Sequence, residues 1–195
     1  MSTLRTFIAI ELDEELREAL GQLQDQLHRQ VAPRSVRWVR PEGIHLTLKF
    51  LGDTPMDKVH EVKTVLAQAA GEVGPFTIIA AELGCFPNTR RPRVLWVGLE
   101  ELTGKLMQLR DAIEAHVAPL GFPTERRRFH PHLTVGRVHR RASKSEVREI
   151  GQMVTTSEIG TLDEMTVTSV SYIKSDLRPS GAVYTTLFEA ALRGD

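Results

Sequence analysis

The chain has 195 residues, 41% of them hydrophobic and 26% charged, with 25 basic residues set against 25 acidic ones. That length suits one medium domain or two small lobes, and it buries roughly 70% of the surface an unfolded chain exposes, so no disulfide staple is needed. The balanced charge excludes a non-specific nucleic-acid coat, which calls for a clearly basic chain, and leaves room for a local basic pocket. The one cysteine, Cys85, excludes an internal disulfide and a cysteine-rich zinc module, and reads as a small buried apolar residue. In the opening MSTLRTFIAIELDEEL the apolar run is too short for a signal core. No stretch is long enough to span a membrane, and a cytoplasmic location is expected.

In chain order, RTFIAIEL (5–12) reads as a buried strand. It is followed by a helix with Asp13 as N-cap and Leu16, Leu20, Leu23 and Leu27 on one face. VRWVRPEG and IHLTLKFLG read as strands. Thr54-Pro55 predicts a cap and a first helical proline, opening a helix with Val59, Val62 and Leu66 inward. FTIIAAEL (76–83) is the next strand, and GCFPNTRRP a loop. RVLWVGL (93–99) precedes a helix that places Leu102, Leu106, Leu109, Ile113 and Val117 on one stripe. After the loop GFPTERRR comes the strand FHPHLTVGRV, and Ser143 with Glu146 forms a capping box for a helix with Val147, Ile150 and Val154 inward. EMTVTSVSYI reads as a strand, SDLRPSG as a turn and AVYTTLFEAAL as the closing strand.

Shifting the chain by 87 residues brings these pieces into register: Phe7 falls on Val94, Ile10 on Val97, His45 on His132, Thr47 on Thr134 and Ile78 on Met165. The simplest architecture is α+β and bilobal, with two pseudo-twofold-related lobes of antiparallel sheet, helices outside and a central cleft. The whole chain, 1–195, then forms a single domain with halves of about 1–87 and 88–174 and a closing strand over 181–191. Such symmetry would set the two His-Leu-Thr units opposite each other.

Alternation along a strand sends Ile44, Leu46, Leu48 and Phe50 to the core and His45, Thr47 and Lys49 to the groove. His45 and Thr47 then lie about 6.6 Å apart along the strand. Doubled by a twofold, the unit supplies two imidazoles and two hydroxyls around one tetrahedral group, which suits displacement at phosphorus. One neutral histidine takes a proton from water, and the other, charged, gives one to the leaving oxygen. Thr47 and Thr134 stabilise the non-bridging oxygens. Two His-x-Thr pairs are not extraordinary in a chain with seven histidines, and half-buried structural histidines are their bland reading. The shared strand context and the register raise the functional one.

His130 and His132 could begin a metal site, but no third Cys, Asp or Glu ligand stands at metal spacing, so no metal is expected. Basic residues cluster at 90–91, 126–128 and around Arg137, Arg140 and Arg141. Most such charges only solvate a surface. Arg137 is the candidate for holding phosphate oxygens bidentately, provided that a bulge or the strand end turns it toward His132.

HLTLKFLG and HPHLTVGR resemble the paired motifs of the two-histidine phosphoesterases. Within them the chain is similar to the bacterial and archaeal RNA 2′,3′-cyclic phosphodiesterases, historically called 2′-5′ RNA ligases. The likeness covers nearly the whole chain, and RTFIAIEL, GCFPNTRRPRVLWVGL and SDLRPSGAVY (Ser175, Leu177, Pro179, Gly181, Tyr184) belong to it. Gly136 departs from it, where a larger aliphatic residue is commoner. The resemblance implies an enzyme that opens 2′,3′-cyclic phosphate at an RNA end to leave a 2′-phosphate, without metal, cofactor or nucleotide. It also implies a weak reverse joining of tRNA halves through a 2′-5′ bond. By the same resemblance His45 is the proton donor and His132 the proton acceptor. The expected partners are RNA ends or small cyclic-phosphate nucleotides, with no membrane and no obligatory protein partner, and a monomer is expected. Two alternatives stand beside this: a phosphodiesterase acting on a small cyclic phosphate or a 2′-5′ oligonucleotide, and an RNA-end-binding module without turnover. The intact histidine pair argues against the second, since Arg or Lys would serve binding as well.

Overall fold

The structure, a computed structural model, describes residues 2–179 and 181–194. Met1 of the opening stretch, Ser180 of the expected turn and Asp195 lie outside the described residues. The elements in order are β1 (Thr3–Glu11), α1 (Glu14–His28), β2 (Val36–Trp38), β3 (His45–Pro55), α2 (Val59–Gly71), β4 (Phe76–Phe86) and β5 (Val94–Glu100). They continue with α3 (Lys105–Val117), β6 (His132–Val138), α4 (Lys144–Thr156), β7 (Thr161–Val167), β8 (Ser169–Arg178) and β9 (Gly181–Ala191). They form two antiparallel sheets, ordered β3-β1-β8-β9 and β2-β6-β5-β4-β7. Helices α2 and α3 cover the first sheet, and α1 and α4 pack on the second. One continuous apolar core runs through both.

Neither sheet is built from one half of the chain. The third strand of the first sheet is β8, from the second half, and the fourth strand of the second sheet is β4, from the first. EMTVTSVSYI is accordingly not one strand: it breaks at Thr168, β7 pairing with β4 and β8 with β1. Ile78 and Met165, which the 87-residue shift superposes, are direct neighbours across β4 and β7. The shift also maps one strand pair onto the other. Glu11↔His45, Ala9↔Thr47 and Phe7↔Phe50 in β1·β3 become Gly98↔His132, Trp96↔Thr134 and Val94↔Arg137 in β5·β6.

Both registers slip at the same place. The extra residue is Leu48 in β3 and Val135 in β6, each just after its His-Leu-Thr unit. A bulge inverts the alternation beyond it. In β3 this buries Lys49 and exposes Phe50 (5% and 73% accessible), the reverse of simple alternation. Lys49 does not line the groove: its Nζ donates to Glu114 Oε2 at 2.7 Å and to the Pro123 carbonyl at 2.5 Å, under α3. In β6 the bulge leaves Gly136 buried and Arg137 exposed. A Cβ on Gly136 would stand 2.8 Å from Val36 Cγ1 and 3.2 Å from the Trp38 ring, so β2 leaves no room there for a larger residue.

Several local expectations shift for physical reasons. Thr54 caps nothing; it is buried against Thr6, hydroxyl to hydroxyl at 2.7 Å, and β3 runs on to Pro55 before α2 begins at Val59. VRWVRPEG yields only three strand residues, because Pro41 starts a 3-10 turn over Pro41–Gly43. Leu102 precedes α3 and is exposed, and β4 extends through Gly84, Cys85 and Phe86. The Asp13 cap (Leu16 N–H to Oδ1, 3.0 Å) and the Ser143–Glu146 capping box are present.

The Val135 bulge is held by a buried amide. Gln24, on α1, donates from Nε2 to the Val39 carbonyl at 2.6 Å and to the Val135 carbonyl at 2.8 Å, and the Val39 N–H also reaches Val135 O at 3.0 Å. Leucine at position 24 would leave the Val39 carbonyl without its side-chain donor in a dry interior, at about 1–3 kcal/mol. We expect Gln24→Leu to lower unfolding stability by that amount in a urea titration. A midpoint unchanged at constant slope would show that the amide does not hold the bulge.

Candidate active site

Strands β3 and β6 belong to different sheets yet approach to within 8 Å between Cα atoms, so the two His-Leu-Thr units lie on neighbouring strands. His45, Thr47, His132 and Thr134 are all half-buried, while Leu46, Leu48, Leu133 and Val135 beside them are buried. The His132 imidazole is tied to the backbone two residues earlier: its Nδ1 lies 2.6 Å from the carbonyl of His130. A carbonyl only accepts, so Nδ1 of His132 carries its hydrogen and Nε2 is the nitrogen free for chemistry.

The surroundings of the two rings differ. His45 is stacked on Phe7 at 4.7 Å between centroids and meets the edge of Tyr184 at 5.0 Å. Phe7 forms a small apolar patch with Ala9 and Ile173, separate from the main core. Burial in this aromatic box lowers the His45 pKa from 6.5 to about 4, against the opposing pull of the Gly43 backbone and the Glu11 carboxylate. Glu11 sits directly across from His45 in the β1·β3 ladder and accepts a hydrogen bond from Ser171 Oγ at 2.7 Å.

His132 lies against Phe86 (5.0 Å, edge-on), with Trp96 at 6.4 Å and the ring of His130 roughly parallel at 6.2 Å. Its pKa is also lowered, first by burial, then by repulsion from His130 and Arg137, with the His130 carbonyl opposing. The bulge returns Arg137 to the strand face of His132. Trp96 lies flat over Gly84, where a Cβ would fall 2.2 Å from its ring. The geometry thus gathers His132, Thr134 and Arg137 on one strand face and His45 and Thr47 on the other strand.

Glu11, Phe7, Phe86 and Trp96 escaped the reading of the sequence as site residues, while His130 entered it only as a candidate metal ligand. For Glu11 a signal existed: the 87-residue shift carries it onto Gly98, the partner of His132, so the two imidazoles have unlike neighbours. Among the described residues no group of three or more His, Cys, Asp or Glu side chains is placed to hold a metal ion. No helix among them is long and apolar enough to cross a membrane.

Comparison with known proteins agrees with this frame. A family model described as LigT-like phosphoesterase matches twice, over residues 10–96 and 97–184. The RNA 2′,3′-cyclic phosphodiesterase of Methanothermobacter thermautotrophicus is 35% identical over 182 residues, 93% of this chain and 95% of the relative. That of Aquifex aeolicus is 30% identical over the full length of both chains. The crystal structure of a Thermus thermophilus protein superposes with a TM-score of 0.81 at 29% identity, covering 98% of this chain and 99% of that one. With its doubled matching segment and its duplicated histidine strands, the chain belongs to the LigT-like phosphoesterase family.

Proposed function

We propose that the protein is an RNA 2′,3′-cyclic phosphodiesterase, opening the terminal cyclic phosphate to a 2′-phosphate and a free 3′-hydroxyl, with weak reverse 2′-5′ joining. His132 takes a proton from water, the water oxygen attacks phosphorus, and the bond from phosphorus to the 3′-oxygen breaks. His45 protonates the departing 3′-oxygen. Thr47 and Thr134 donate to the non-bridging oxygens, and Arg137 holds them by charge. Action as a monomer in the cytoplasm on RNA ends completes the reading.

The observation that carries the assignment of roles is the sign of the charge beside each imidazole. A carboxylate, Glu11, faces His45 and pulls it toward the charged form a donor needs, against the larger effect of burial. A guanidinium, Arg137, repels a charged His132 and so adds to burial in favouring the neutral form an acceptor needs. Similarity to relatives named for this activity over more than nine-tenths of both chains supports the reaction class.

Each histidine replaced by alanine should lower turnover of a 2′,3′-cyclic nucleotide in EDTA by about 10²–10⁴, with the thermal unfolding curve little changed. A nitrophenyl phosphodiester, whose leaving oxygen needs little protonation, should rescue His45→Ala and not His132→Ala. The opposite rescue would reverse the roles, and wild-type turnover in either variant would remove that histidine from the mechanism.

The pH dependence follows from the two shifts. Above its pKa His45 loses the proton it must give; below its pKa His132 gains one that blocks acceptance. Both values lie below 6.5 in the free protein, so the bell in kcat/KM, which reports free enzyme, should peak below pH 6.5. A bound phosphate anion favours both charged forms, and the kcat maximum should lie at higher pH than the kcat/KM maximum. Coincident maxima above pH 7 would contradict the burial argument.

A further inference from the structure

A second charged surface lies outside this cleft, between α4 and the loop joining β4 to β5. It is a groove of about 690 Å³, and four cations line it: Arg90 and Arg91 from the loop, Lys144 and Arg148 from α4. No carboxylate is among its lining residues. All four cations are exposed, and none forms an ion pair among the described residues. In a chain of zero net charge this is a local concentration, not the drift of a basic protein.

The wall is built, and the fold does not demand its charge. Asn88 Oδ1 accepts from the N–H groups of both Arg90 and Arg91 at 3.1 Å, fixing the loop. Gly151 lets α4 close on it, since a Cβ there would fall 1.9 Å from the Thr89 carbonyl oxygen. The 87-residue shift sets Asp57 at the place of Lys144 and Glu61 at the place of Arg148. The twin segment therefore carries acids where α4 carries bases.

The groove is also joined to the cleft. Its loop begins right after Phe86, whose ring touches His132, and ends at Arg93, whose carbonyl accepts from Val138 N–H one residue past Arg137. An RNA strand whose 3′ end lies at His132 and Arg137 would lie beside the residues that flank this loop, Phe86 and Arg93.

We propose that the groove binds the phosphate backbone of the RNA strand whose cyclic end occupies the cleft, as an anchoring site upstream of the terminal nucleotide. This rests on the RNA-end reading above. No aromatic side chain lines the groove, so recognition runs through phosphate charge and is indifferent to base sequence. The site supplies affinity for long substrates and takes no part in bond cleavage.

The test compares a mononucleoside 2′,3′-cyclic phosphate with RNA oligonucleotides of increasing length carrying the same end. The proteins are wild type, Arg90→Ala/Arg148→Ala and the charge-reversed Arg90→Glu/Arg148→Glu. In wild type KM should fall with length. In the variants that gain should be lost, by about tenfold for the longest RNA at moderate salt, while KM and kcat for the mononucleotide stay within about twofold. The salt dependence of RNA binding, read by anisotropy of a labelled 2′-phosphate product strand, should weaken by about 0.7 in log–log slope per phosphate contact removed. A wild-type KM independent of length, equal effects on both substrates, or unchanged product-strand binding would overturn the proposal. So would a polyglutamate of matched charge competing as well as RNA, which would mark the groove as a protein-binding face. A wild-type protein that binds the strand through the groove yet hydrolyses neither substrate would leave the anchor standing and sink the phosphodiesterase reading.

Discussion

An extra residue just after the His-Leu-Thr unit of each histidine strand sets the geometry on which the site depends. Without Leu48 and Val135 as bulges, strict alternation would send Arg137 to the core side and Lys49 to the cleft side. With them, His132, Thr134 and Arg137 share a face, and the charge of Lys49 is removed into a buried pair with Glu114. A lysine on the His45 side would press that imidazole toward its neutral form. The bulges therefore select which cation stands near the two histidines as well as where it stands. Gln24 links this to the fold, because the carbonyl it satisfies belongs to the bulged residue itself.

The signals legible in the sequence were local ones. Leucine stripes place α1 and α3, a Ser-x-x-Glu box starts α4, and apolar alternation around His45 and His132 reports the burial of Leu46 and Leu133. The exchange of β4 and β8 between sheets left no such trace. Pairing of strands far apart in the chain, β4 with β7 and β1 with β8, is a long-range packing choice, and Thr168 carries no turn chemistry that marks the switch. Thr54-Pro55 misled for the same reason. A threonine before proline has the composition of a helix cap, but here the hydroxyl of Thr6 offered it a buried partner. Bulges are also poorly visible, since the inversion at Lys49 and Phe50 reads as ordinary alternation until the ladder is seen.

The fold is nearly symmetric while the chemistry required of it is not. Acid-base displacement needs one charged and one neutral imidazole at once, and a perfect twofold would give both rings the same proton affinity. The structure breaks that equality position by position: Glu11 against Gly98 beside the histidines, Ala9 against Trp96 beside the threonines, Phe50 against Arg137 beyond the bulges. In the proposed mechanism these three differences within a shared ladder distinguish the donor from the acceptor.

Burial sets the scale on which those differences act. Withdrawal of water depresses both imidazoles, most heavily His45 among Phe7 and Tyr184, so the proton that His45 gives in the proposed mechanism is disfavoured by burial alone. A phosphodiester anion entering the same space reverses the balance, since its charge acts with little screening in a low-dielectric pocket. In the proposed mechanism the substrate thus brings the condition for its own cleavage, and the aromatic box around the His45 ring makes its protonation depend on that anion.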